Sequence, residues 1–138
     1  MSRLKTGGWR LGPRHLAPAA IVLLLACGSP QGFVKQLPSG RSFRVLQAGQ
    51  VRFGKTGETA AMLVYETSRK PEDSKGLEQE ATELWDYFRP EVEKTPQHVA
   101  IVQANSPDRG FLLKGQALAG FQWEKQADGS WARKLDAK

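Results

Sequence analysis

The strongest constraint on the fold is one helix-forming stretch, from residue 74 to about residue 94. Placed at 100° per residue, Leu77, Ala81, Leu84, Trp85, Phe88 and Val92 fall within an arc of about 100°. A helix with one apolar stripe must bury it against another element, and the chain supplies a candidate on either side. Residues 60–65 carry Met62, Leu63 and Val64 in succession, and residues 99–102 form a second unbroken apolar run. Such runs suit interior strands. A helix joining two of them predicts a sheet with the helix on one face, and a right-handed crossover if the two strands are parallel. Ser74 is the expected N-cap, with Glu72 and Asp73 beside the positive end of the helix dipole. Pro90 predicts a kink or a stop near Arg89, because its ring clashes with the carbonyl four residues back.

The flanking sequence reads as strands. Residues 42–48 and 51–53 are strand-like, and Ser106, Pro107, Asp108 and Gly110 supply turn chemistry leading into residues 111–114. Phe121 and Trp123 alternate with Gln122 and Glu124, and Asp128 with Gly129 predicts a hairpin to a strand containing Trp131. Trp85, Phe88, Phe121, Trp123 and Trp131 are the core candidates. A chain of 138 residues that is 40% apolar and 9% aromatic can pack one core but excludes most large enzyme folds. The expected fold is therefore α+β, a single mixed or mainly antiparallel sheet with one amphipathic helix packed on one face.

The N-terminus reads as an address. Residues 1–26 hold Arg3, Lys5, Arg10 and Arg14 and no acid, and residues 16–26 form an apolar run. Crossing a bilayer takes about 20 apolar residues, so this run fits the h-region of a secretory signal rather than a span. It ends in Leu24, Leu25, Ala26 and Cys27, followed by Gly28 and Ser29. That ending resembles the lipobox of bacterial lipoproteins, a resemblance confined to the first 28 or so residues. It implies that the signal peptide 1–26 is removed and that the Cys27 thiol receives a diacylglyceryl group. The new amino group is often acylated too, with chains such as palmitate. Two or three chains give stable membrane anchoring, each buried CH₂ contributing about 0.8 kcal/mol. Gly28, where an aspartate would signal retention, resembles the pattern sorted to the periplasmic face of the outer membrane in Gram-negative cells. Cys27 is the only cysteine, so once acylated it leaves no thiol for a disulfide, a metal or a nucleophile.

After the signal peptide, residues 27–40 read as a lipidated N-terminus and flexible tether, because Gly28, Ser29, Pro30, Gly32, Pro38, Ser39 and Gly40 disfavour packed structure. Residues 41–138 form the domain. The formal charge of +6 comes from 20 basic and 14 acidic residues, and four of the basic ones leave with residues 1–26. What is left is nearly balanced, so no nucleic-acid partner is expected.

Motifs for chemistry are few. Gly49, Gly54, Lys55 and Thr56 match the spacing of a phosphate-binding loop, but Gly57, Glu58 and Thr59 lead into a strand-like run rather than a helix whose N–H groups would bind phosphate. No nucleotide is expected. His98 is the one histidine outside the signal peptide; with no second histidine and no free cysteine, neither a metal site nor a cofactor is expected. Glu80 with Glu83, and Glu83 with Asp86, have spacings that a solvated helix face explains without catalysis. The charges segregate: residues 27–57 hold Lys35, Arg41, Arg44, Arg52 and Lys55 with no acid, whereas residues 72–93 hold eight acids. Arg41, Arg44, Arg52 and Lys55 are therefore candidate contacts to an anionic surface, with protection of edge strands as the plainer explanation.

The expected function is a membrane-anchored envelope lipoprotein, a non-catalytic binding or structural module whose partner is an envelope protein or cell-wall component. A small-ligand carrier is the alternative, and an envelope hydrolase a more remote one. Geometry separates them: a solid core under the helix favours the module, an apolar cavity the carrier, and convergence of His98 with carboxylates the enzyme.

Overall fold

A computed structural model of the chain describes residues 32–108 and 115–135. The stretch expected to be a signal peptide, Cys27 and residues 111–114 lie outside them. The chain forms β1 (Phe33–Gln36), β2 (Ser42–Arg52), β3 (Thr59–Glu66), α1 (Ser74–Glu93), β4 (Val99–Asn105), β5 (Ala117–Lys125) and β6 (Trp131–Lys134). These strands make one sheet in sequence order. Hairpin-type connections make β1–β2, β2–β3, β4–β5 and β5–β6 antiparallel, while β3 and β4 are parallel because α1 returns the chain along the sheet. The fold is α+β, a mixed sheet with one helix on one face.

Alternation along the strands decides which side chains meet the helix. On β4, Ala100, Val102 and Ala104 are fully buried in the core beside Leu63 and Tyr65 of β3 and Leu77, Leu84 and Val92 of α1. Trp85 of α1 stacks on Trp123 of β5 with ring centroids 4.9 Å apart and meets Trp131 of β6 edge-on at 5.2 Å. Of the core candidates, Trp85, Phe88 and Trp123 are buried, and Phe121 and Trp131 pack against the cluster from its margin. The Trp123 and Trp131 strands form the predicted hairpin, with Gly129 at φ 86° in its turn.

The structure corrects three local expectations. Residues 42–53 are not two strands: β2 runs unbroken through Gly49 because β3 pairs with it along its length, and Leu46 is accommodated by a register shift between Val45 and Gln47. The tether does not extend to residue 40. β1 pairs with β2, and Pro38, Ser39 and Gly40 form the turn between them, closed by Leu37 N–H to the Arg41 carbonyl at 2.8 Å. Gly32, at φ 63°, admits the chain to β1; a Cβ there would lie 2.3 Å from the Val45 carbonyl oxygen.

Third, the N-cap is Asp73, whose Oδ1 accepts from Gly76 N–H at 3.0 Å. Arg69 donates to its other oxygen at 2.5 Å and is the first cause that holds its carboxyl below the usual range. Of the two outcomes expected at Pro90 the stop does not occur, and α1 runs past it to Glu93, close to the expected end. The hydrogen bond that proline cannot donate falls on the exposed side, where water can serve Asp86. Asp73→Ala should therefore cost about 1 kcal/mol and Ser74→Ala much less, read as shifts in urea midpoint; equal shifts would return the cap to Ser74.

Candidate functional site

Opposite α1, the lower corner of the sheet holds a recess of about 610 Å³ lined by Phe53, Thr59, Gln97, His98, Gln122 and Lys134, among others. Three connections converge there. The β2–β3 turn, closed by Phe53 N–H to Glu58 O at 2.9 Å, brings Phe53 and Glu58. The loop after α1 brings Gln97 and His98, and β5 and β6 bring Gln122, Glu124 and Lys134. These strand residues face away from the helix because their neighbours Trp123 and Arg133 face it.

Gln97 is only 5% exposed as a residue, and its backbone N–H is served by Thr95 Oγ1. Among the described residues, the buried side-chain atoms left without a partner are Trp131 Nε1 and Arg133 Nε, so the Gln97 amide is not a buried orphan. Glu124 is occupied: it accepts from Lys134 Nζ at 2.9 Å and from Gln122 Nε2 at 2.8 Å. Lys134 is the main reason its carboxyl is held below the usual range. Phe53 is 43% exposed and offers an apolar platform at the rim.

The arrangement brings His98 and two carboxylates, Glu58 and Glu124, to one place. Glu124 itself is kept charged by Lys134, so it stands there as a fixed anion and not as a general acid, which must retain its proton near neutral pH. What the recess offers is a fixed anion, an ammonium, amide groups and an aromatic ring, which is the chemistry of recognition. Among the described residues, no three His, Cys, Asp or Glu side chains gather where they could hold a metal ion. No protein-family model, no curated protein and no solved structure matches this chain.

The basic candidates are placed elsewhere and apart. Arg41 lies where the acidic helix crosses the β1–β2 turn, 2.8 Å from Glu83 and 3.2 Å from Glu80. Arg44 sits on the other face of the sheet, 3.5 Å from Glu66. Arg52 is at the far end of β2, about 26 Å from Arg44 at 3.3 Å per residue, and Lys55 lies in the turn beyond it. The four residues do not share one face; charges segregated in sequence are interleaved by packing. The phosphate-loop spacing dissolves likewise, since Gly49 is within β2 and residues 53–58 form the turn to β3, with no helix after Thr56.

Sequence reasoning also misplaced Glu80. Its side chain is 8% exposed and accepts from Thr67 Oγ1 at 2.8 Å, Tyr65 O–H at 3.2 Å, Arg69 Nε at 2.6 Å and Arg41 Nη2 at 3.2 Å. Four donors leave this carboxylate no capacity for a substrate, so its role is to fasten α1 to the sheet. The signal was present in the spacing: Glu80 lies only about 40° outside the apolar arc, whereas Glu83 lies about 100° outside it.

Proposed function

We propose that the chain is a lipid-anchored module of the bacterial cell envelope that binds a partner without transforming it, and that the recess beside His98 is its binding site. The observation that carries the reading is a half-open recess that gathers the amides of Gln97 and Gln122, His98, the Glu124–Lys134 ion pair and the exposed ring of Phe53 in one place. The layer between helix and sheet, where a carrier would hold its ligand, is filled by Leu63, Tyr65, Leu84, Trp85, Val102 and Trp123. The hydrolase reading gains nothing from Glu124, which Lys134 keeps charged and which therefore does not serve as a general acid. The anchor rests on the lipobox at residues 24–27, and among the described residues no helix is long and apolar enough to cross a membrane. If the source is Gram-negative, Gly28 directs the module to the outer membrane, facing the periplasm.

Two measurements test this reading. Mass spectrometry of the membrane-extracted protein should show residues 1–26 missing and acyl mass on Cys27, and Cys27→Ser should release the protein or block its processing; an unmodified Cys27 in a soluble product rejects the anchor. A photo-crosslinking residue at position 98 should capture one envelope component that the same residue at exposed Arg89 does not. Capture should fall at least tenfold in Gln97→Leu with the fold retained. Equal capture from positions 98 and 89 removes the recess as the binding site.

A further inference from the structure

The sheet ends at β1, and this edge is unlike a protected one. Phe33 is 49% exposed and Val34 is 71% exposed. They alternate to opposite faces, so both sides of the edge present apolar surface. Soluble proteins blunt an edge strand with charge, proline or a covering element. β1 carries only Lys35, and that ammonium is drawn inward over the Tyr87 ring, 4.8 Å from its centroid. An apolar edge left in this state invites a partner.

The position of β1 in the chain says which partner. Phe33 follows Cys27 by six residues, a span of at most about 20 Å even when fully extended. The chain enters β1 through Gly32, whose left-handed backbone lies tight against the Val45 carbonyl of β2. That close fit ties the start of the domain to the end of the tether. Whatever anchors Cys27 must therefore lie within that distance of Phe33 and Val34.

We infer that the β1 edge, through Phe33 and Val34, rests on the lipid surface in which the acyl chains of Cys27 are embedded. The inference depends on the lipid-anchor reading and adds an orientation to it. Docking is at the headgroup level and not in the hydrocarbon, because the outward N–H and C=O groups of an edge strand need water or headgroup partners. Phenylalanine and valine side chains reach the boundary between headgroups and acyl chains from there. The recess beside His98 is built from the β2–β3 turn, the start of β3, the loop after α1 and residues of β4, β5 and β6, and β1 contributes nothing to it. An edge-down orientation turns it away from the bilayer and toward partners in the surrounding space.

The test uses the processed protein, extracted from membranes and reconstituted in vesicles of phosphatidylethanolamine and phosphatidylglycerol. An environment-sensitive fluorophore is attached at Val34→Cys, and in a second sample at Leu135→Cys, a residue 73% exposed just after β6 at the opposite edge. The label at position 34 should shift to the blue and be quenched several-fold more strongly by lipids brominated near the headgroup than the label at 135. Adding Phe33→Ser should reduce that quenching at least twofold while the near-ultraviolet spectrum of the folded core is kept. Water-like emission at 34 on a protein whose Cys27 carries acyl mass overturns the docking and leaves the anchor intact. An unmodified Cys27 overturns both. Equal shielding at 34 and 135, or shielding at 34 that persists in detergent micelles and scales with protein concentration, also overturns it, since a second copy then covers the edge.

Discussion

Replacing Trp85 with alanine should destabilise the domain by about 3 to 5 kcal/mol, the range for emptying a buried aromatic site. Trp85 is the point at which the helix meets the second half of the sheet: it stacks on Trp123 and touches Trp131 edge-on, so truncation removes area from both and leaves a void the sheet cannot close. Single domains of this size are held by about 5 to 15 kcal/mol, so the loss is a large fraction of the total. Urea denaturation followed by circular dichroism measures it. Asp86→Ala, on the exposed face of the same helix, should stay within about 0.5 kcal/mol. Equal midpoints for the two variants would mean that the stripe of α1 is not what binds it to the sheet.

Glu80→Ala should cost about 2 to 4 kcal/mol. Removing one side of a buried ion pair costs about 3 to 5 kcal/mol when the partner stays buried. The estimate is lower here because the Arg41 and Arg69 side chains are 33% and 31% exposed and regain water. Tyr65 O–H and Thr67 Oγ1 do not, since both residues are buried, and each loses its acceptor. Glu80→Gln keeps one acceptor oxygen and should lose less. A loss below about 0.5 kcal/mol for Glu80→Ala would reduce the carboxylate to a surface charge.

The same cluster sets an alkaline limit. Burial first, and then the Glu80 charge, push the Tyr65 phenol well above its ordinary range. A group whose folded pKa is raised contributes its stability in full below the unfolded value, near 10 for tyrosine, and loses it as pH rises beyond that. Denaturation midpoints should thus fall above about pH 10, and less steeply in Tyr65→Phe.

Periodicity carried the reading of the fold as far as local patterns reach. The stripe of α1 and the two apolar runs beside it define a helix lying between buried strands, and the Asp128–Gly129 turn defines the last hairpin; each depends on residues within a few positions of one another. The lipobox resemblance at residues 24–27 rests likewise on contiguous residues. β1 escaped because residues 33–36 are a short segment among glycines and prolines, and they become a strand only when β2 supplies hydrogen bonds. Glycine propensity at position 49 was overridden by β3 in the same way.

Side-chain burial at the margins of elements, and every site assembled from several loops, were decided by tertiary structure. Glu80 belongs to the solvated face of α1 by residue type, and only the approach of Arg41, Tyr65, Thr67 and Arg69 from other elements makes its burial tolerable. The run of bases from Lys35 to Lys55 looked like one surface because sequence distance was read as spatial proximity, whereas an extended strand carries its two ends about 35 Å apart. Gln97, His98, Phe53 and Gln122 have no shared pattern along the chain, and a recess between a turn, a loop and a strand edge has no local signature. Sequence alone determined the helix and the buried strands around it, because nearest-neighbour physics fixes those. The sheet order, the buried ion cluster and the recess follow from contacts between residues far apart in the chain, and only the folded structure brings these together.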